Sequence, residues 1–128
     1  MLADIKKIEP LLKSKFYYNF DMSKKVWFQA GGKALIYCIV YDENEFEIIL
    51  NSLGNLDYEV IGAGSNILIR DNGFDGIIFK LGKNFNYIKE GEESLNVGAG
   101  ILDNNLSTFA MKNNIKNYEF FSGIPGSV

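Results

Sequence analysis

The chain has 128 residues, 47% of them hydrophobic, which is enough for one compact domain with a real core and argues against disorder. Its net charge is −3 and its thirteen lysines and arginines are scattered singly or in pairs, so a nucleic-acid backbone is a poor partner and a small ligand or a protein is favoured. A lone cysteine, Cys38, forbids an intramolecular disulfide, and no apolar run approaches the roughly 18 residues a membrane span needs. With no hydrophobic signal core at the start, the expectation is a cytoplasmic protein without membrane association. The absence of histidine and of any cysteine cluster argues against a metal site.

In chain order, Ile5, Ile8, Leu11 and Leu12 have weak helical spacing that Pro10 interrupts, and the aromatic cluster Phe16, Tyr17, Tyr18 and Phe20 reads as packing surface. From Ala34 to Tyr41 the chain is continuously apolar and β-rich, as in a strand covered on both faces, with Cys38 as a packing residue. "DENEFEIILNSLG" then has the marks of a helix: Asp42 as N-cap, Glu45 three residues on, an apolar stripe at Phe46, Ile49, Leu50 and Leu53, and Gly54 as the stop. Tyr58 to Gly62 forms a second short apolar strand. Strand, helix and strand together predict a βαβ unit with two parallel strands and a right-handed crossover.

A glycine loop follows at the carboxyl end of that second strand, where open α/β sheets bind ligands. Beyond it, "ILIR", "IIFKL", "FNYIK" and "LNVGA", separated by glycine-rich or charged turns, predict antiparallel strands. A helix is expected from Leu102 to Asn113, with Leu102, Leu106, Phe109 and Ala110 on its apolar face. The chain closes on an aromatic strand and a second small-residue loop, Gly123 to Ser127. Such a turn normally delivers a chain into a further element, so the sequence reads as a piece of something longer.

The loop "GAGSNILIRDNGFDG", Gly62 to Gly76, lacks the lysine and hydroxyl of a Walker A loop, and Ile67 stands where a dinucleotide fingerprint has its third glycine. Two readings of the residues remain open. One is a backbone nest in which successive N–H groups, with the Ser65 hydroxyl and the Asn66 amide, converge on an anion. The other is a tight turn that uses Gly62 and Gly64 for their conformational freedom. Arg70 and Asp71, a strand-end pair beside a turn, read as structural.

The stretch "GAGSNILIRDNGFDGIIFKL" closely resembles the FAD-binding region of the UDP-N-acetylenolpyruvoylglucosamine reductase family. "WFQAGGKALIY" (Trp27 to Tyr37) is similar to that family's opening strand and "YEFFSGIPGSV" (Tyr118 to Val128) to its glycine-isoleucine-proline-glycine-serine turn. Trp27 stands where the family usually has threonine. The three blocks occur in the family's order and span most of the chain.

The resemblance implies an α+β chain with the vanillyl-alcohol-oxidase (PCMH-type) FAD-binding fold: a small βαβ lobe followed by an incomplete antiparallel lobe. The corresponding division is an N-terminal segment at 1–26, the βαβ lobe at 27–82 and the start of the antiparallel lobe at 83–128. It implies tightly bound FAD, with Gly62, Ala63, Gly64, Ser65, Asn66 and Ile67 at the pyrophosphate, and Gly123, Ile124, Pro125, Gly126 and Ser127 along the ribityl chain or flavin ring. It further implies NADPH as reductant and UDP-N-acetylglucosamine enolpyruvate as substrate, in the peptidoglycan synthesis of the cell wall. The family's active-site arginine, serine and glutamate come after the second loop, so no catalytic residue is assigned within the chain. The rival readings are a non-enzymatic nucleotide-binding module and another flavin oxidoreductase of the same superfamily.

Overall fold

A mixed four-stranded sheet organises the computed structural model, which describes residues 2–128. Its strands are β1 (Lys15–Asp21), β2 (Lys33–Val40), β3 (Tyr58–Ile61) and β4 (Phe74–Leu81), in the order β1-β2-β4-β3. β1 runs antiparallel to β2, whereas β4 is parallel to both its neighbours, pairing Ile36 with Ile77 on one side and Tyr58 with Ile77 on the other.

β2 and β3 run parallel, as the βαβ reading expects, with β4 filling the place between them. One expectation is corrected. "IIFKL" is that central parallel strand and not part of an antiparallel run. Its buried Ile77, Ile78 and Phe79 suit the placement: consecutive apolar residues require cover on both faces, and here one cluster packs on each.

On one face, Ile36, Cys38 and Val40 of β2 meet Ile77 and Phe79 of β4. Over them lie Ile49 of α2 (Glu43–Asn51), Leu53 and Ile5 of α1 (Leu2–Ile8). On the other face, Ala34, Tyr37, Ile61 and Ile78 pack with Met22. Ala34 and Ile36 would share a face in a regular strand; the register shift between them sends Ala34 to the opposite side.

The aromatic cluster near the start is β1, an edge strand in which Phe20 stacks on Tyr37 with ring centroids 4.7 Å apart. Segment 1–26 therefore contributes α1 and β1 to the same core as the strands that follow. Among the described residues, glycine and asparagine hold all but one of the positive-φ positions, as at Asn19, whose φ of 49° lies in a region asparagine tolerates.

α2 begins as its sequence predicts, with the Asp42 carboxylate accepting from the Glu45 N–H at 2.9 Å. Glu45 does not turn back to complete a capping box. Its carboxylate instead accepts from the N–H groups of Lys13 and Ser14, both at 2.8 Å, and from the Ser14 hydroxyl at 2.6 Å. The same hydroxyl accepts from the Tyr41 N–H at 2.9 Å, so one serine ties the start of β1 to the end of β2 and the head of α2.

Past the sheet, β5 (Ile88–Glu90) and β6 (Leu95–Val97) form the expected antiparallel hairpin. α3 (Asp103–Lys112) falls within the predicted span and buries Leu106 and Ala110. Tyr118 to Phe121 does not form a strand. Glu119–Gly123 is a 3-10 turn, with the Phe120 and Phe121 ring centroids 4.1 Å apart in a tilted pair.

Candidate functional site

Parallel strands cannot be joined by a tight turn, because the chain must travel back to the end of the sheet at which it began. From β3 to β4 that return is residues 62–73, and it contains no helix. "ILIR" belongs to this return. Ile67 and Ile69 pack on the second core cluster while Leu68 and Arg70 face outward, an alternation of strand type in a segment that pairs with no strand. The expected strand there is thus an extended crossover laid over the sheet.

Arg70 serves it through its backbone, its carbonyl accepting from the N–H groups of Gly32 at 3.0 Å and Gly73 at 2.8 Å.

The glycine loop opens the crossover, and three contacts fix its shape. The Trp27 N–H donates to the Gly64 carbonyl at 3.0 Å. Gly64 has φ +72° and is pressed so closely on the Lys25 carbonyl that a side chain there would collide. The Ser65 hydroxyl donates to the Pro125 carbonyl, tying the first loop to the second. Gly62 faces the Ser127 hydroxyl, with no space for a Cβ as the two now stand.

The two loops enclose one cavity of about 500 Å³, lined by Gly62 to Ile67 on one side and Ile124 to Ser127 on the other, with Asp103 between them. Ten of the eleven residues singled out in the sequence line it; Gly123 does not, and stands at the end of the 3-10 turn with open space where a side chain would be. Among the described residues, the N–H groups of Gly64, Ser65 and Asn66 donate to no other group of the chain. Successive free N–H groups in a concave loop are what an anion requires.

A second cavity, of about 950 Å³, adjoins the first and shares Gly62 and Ala63 with it. Lys24, Lys25 and Lys80 line it, and the Lys80 ammonium donates to the Gly62 carbonyl. Burial, followed by the nearby charge of Lys25, lowers the Lys80 pKa below the ordinary lysine value. An anion in this cavity would oppose that lowering by favouring the charged ammonium. Tyr37, on the floor, has its phenol raised to about 12 by burial and then by Tyr17 and Cys38, so it stays a neutral hydroxyl.

Sequence reasoning did not reach these lysines or Asp103. Lys80 becomes visible only once β3 and β4 are paired, since that register sets it opposite Ile61 and beside Gly62. Asp103 reads in the sequence as an ordinary first-turn acid of a helix. Among the described residues no cluster of metal-ligating side chains forms, and no helix is long and apolar enough to cross a membrane.

Comparison with known proteins extends this geometry. No family model matches the chain. The UDP-N-acetylenolpyruvoylglucosamine reductase of Orientia tsutsugamushi is 37% identical over 124 residues, and that of Rickettsia typhi 36% identical over 122 residues. The chain is a homologue of these reductases. The matches cover 93% and 94% of the chain and 41% of each reductase, so the chain spans about two fifths of the length of these relatives.

Among solved structures, the UDP-N-acetylenolpyruvylglucosamine reductase (MurB) of Thermus caldophilus superposes with a TM-score of 0.69 at 25% identity, over 91% of this chain and 40% of that one. The reductase likeness thus holds in sequence and in backbone.

Proposed function

We propose that the chain is the FAD-holding part of a UDP-N-acetylenolpyruvoylglucosamine reductase, a cytoplasmic enzyme of peptidoglycan synthesis. The observation that carries this reading is the meeting of two loops, 60 positions apart at Ser65 and Pro125, around one cavity at which Gly64 is pressed on the Lys25 carbonyl too closely for any side chain. The fit to FAD is chemical. Free N–H groups at Gly64 to Asn66 suit a pyrophosphate, and the adjoining lysine-lined cavity offers cationic room for the rest of an elongated anionic ligand. Trp27 and the sheet face below it, Tyr37 and Ile39, supply apolar surface for a flat ring.

In this reading the finer fold is the vanillyl-alcohol-oxidase type, with the β2–β4–β3 sheet as the first lobe and the β5–β6 hairpin opening the second. Bound FAD would supply hydride transfer from NADPH to UDP-N-acetylglucosamine enolpyruvate, which with a proton delivered to the neighbouring carbon gives UDP-N-acetylmuramate. The residues of this chain bind and orient: Gly62 to Ile67 hold the pyrophosphate, Ile124 to Ser127 close over the cofactor from the other side, and Lys80 fixes the start of the loop through the Gly62 carbonyl. The groups that touch the substrate's reacting carbons are not among them.

The test is the absorption spectrum of the purified natural gene product. Flavin bands, released on denaturation as FAD, are expected. A colourless protein that leaves the fluorescence of added FAD unchanged would refute the reading.

A further inference from the structure

We propose that Asp103 is the acceptor for a hydroxyl group of the ligand in the cavity between the loops, and that it thereby fixes the direction in which the ligand lies; this rests on the flavin reading above. Asp103 is 4% exposed, one of two buried polar or charged residues among those described, the other being Ser14. Ser14 is fully engaged by Glu45 and Tyr41. The Asp103 carboxylate, by contrast, makes no hydrogen bond or ion pair with any other group of the chain among the described residues.

Its backbone is pinned. The Asp103 N–H donates to the Gly126 carbonyl at 3.1 Å, Leu102 and Ser127 form a β-bridge, and the Val128 N–H donates to the Ile101 carbonyl at 3.0 Å. A Cβ on Gly126 would stand 3.1 Å from Oδ2, so the carboxylate lies against the second loop. No buried side-chain oxygen or nitrogen among the described residues is sealed off without a partner. The Asp103 oxygens therefore retain access, and the opening they reach is the cavity that Asp103 lines.

An ionised carboxylate that receives no donor from the chain can only accept, so a hydroxyl brought into the cavity is a partner it can take. Asp103 is the first residue of α3, whose dipole favours the charge without making a hydrogen bond to it. The cavity thus has two unlike ends: free N–H donors at Gly64 to Asn66, which attract phosphate, and an acceptor at Asp103, which repels it and suits a hydroxyl. FAD carries hydroxyls on both sides of its pyrophosphate, on the ribityl chain and on the adenosine ribose.

The experiment titrates the purified gene product, stripped of flavin, with FAD, FMN, ADP and inorganic pyrophosphate, for wild type, Asp103→Ala and Asp103→Asn, with thermal unfolding recorded for each. Asp103→Ala is expected to weaken FAD by about ten- to a hundredfold, the range for hydrogen bonds to a charged group, and to leave pyrophosphate unchanged. A parallel loss with FMN assigns the ribityl hydroxyl, and one with ADP the ribose. Asp103→Asn keeps the shape and one acceptor oxygen and should lose only a fewfold, which preserves the test if the alanine variant unfolds. Unchanged or tighter FAD binding with a lowered melting temperature, or equal losses for all four ligands, would overturn the proposal. Wild-type protein that binds no FAD overturns the flavin reading as well, whereas wild-type binding with unresponsive variants overturns this one alone.

Discussion

The Ser65 hydroxyl donates to the Pro125 carbonyl, joining two loops that lie 60 positions apart in the chain. No other side-chain hydrogen bond among the described residues connects these loops, so the width of the cavity between them depends on it. Ser65→Ala is expected to leave the sheet intact and raise the Kd for FAD about three- to tenfold, the range for one neutral hydrogen bond. Fluorescence titration measures the affinity, and far-UV circular dichroism checks the fold.

The two glycines of the first loop should respond differently to alanine. At Gly64 the obstacle is the Lys25 carbonyl and a φ of +72°, neither of which can move cheaply, so Gly64→Ala should destabilise the protein by about 2 kcal/mol. At Gly62 the obstacle is the Ser127 hydroxyl, which can rotate away. Gly62→Ala should therefore cost little stability and show mainly in FAD affinity. Urea unfolding alongside ligand titration separates the two effects.

Glu45 makes the fold acid-sensitive. Burial pushes its carboxyl pKa upward, but the Ser14 hydroxyl and the N–H groups of Lys13 and Ser14 outweigh that, and the net shift is downward. A group with a lowered folded pKa contributes stability that is complete above its unfolded value, about 4.3, and is lost as pH falls through the folded value. Glu45→Gln is expected to cost about 2 kcal/mol at pH 7 and to narrow the gap from wild type as the pH drops below about 4. Denaturant unfolding at a series of pH values provides the check.

Cys38 is fully buried in the core, and burial, with smaller contributions from Glu45 and Glu9, raises its thiol to about 12. It should resist a thiol reagent at pH 8 in the folded protein and react at once in denaturant. Modification of the native protein at the rate of a free thiol would show that the sheet opens far more often than its packing implies.

Much of the first half could be read directly because local pattern and tertiary packing agree there. The Asp42 cap, the α2 stripe and the apolar run of β2 each have only one economical solution, and the structure adopts it. β4 reads as part of an antiparallel run because the brief apolar stretch "IIFKL" and its flanking glycines give no sign of parallel pairing; only its burial on both faces does. "ILIR" has a strand's alternation without a strand's partner, a distinction that depends on hydrogen bonds to residues elsewhere. At the candidate site the backbone parts were legible, because glycines at loop positions are a local signal. Asp103 and Lys80 were not, because their significance comes from neighbours 20 or more residues away or from strand register.

The position of β4 also bears on how the molecule assembles. β2 and β3 cannot hydrogen-bond to each other, so neither gains its inner neighbour until a strand synthesised after both has inserted between them. Such non-local pairing is slow, because the closure entropy of the crossover must be overcome before any contact rewards it. The crossover is the glycine loop itself, held to the Trp27 N–H at one point and Pro125 at another. The segment that meets the ligand is therefore also the connection whose ordering completes the sheet, and a cofactor captured during folding would accelerate the step that otherwise comes last.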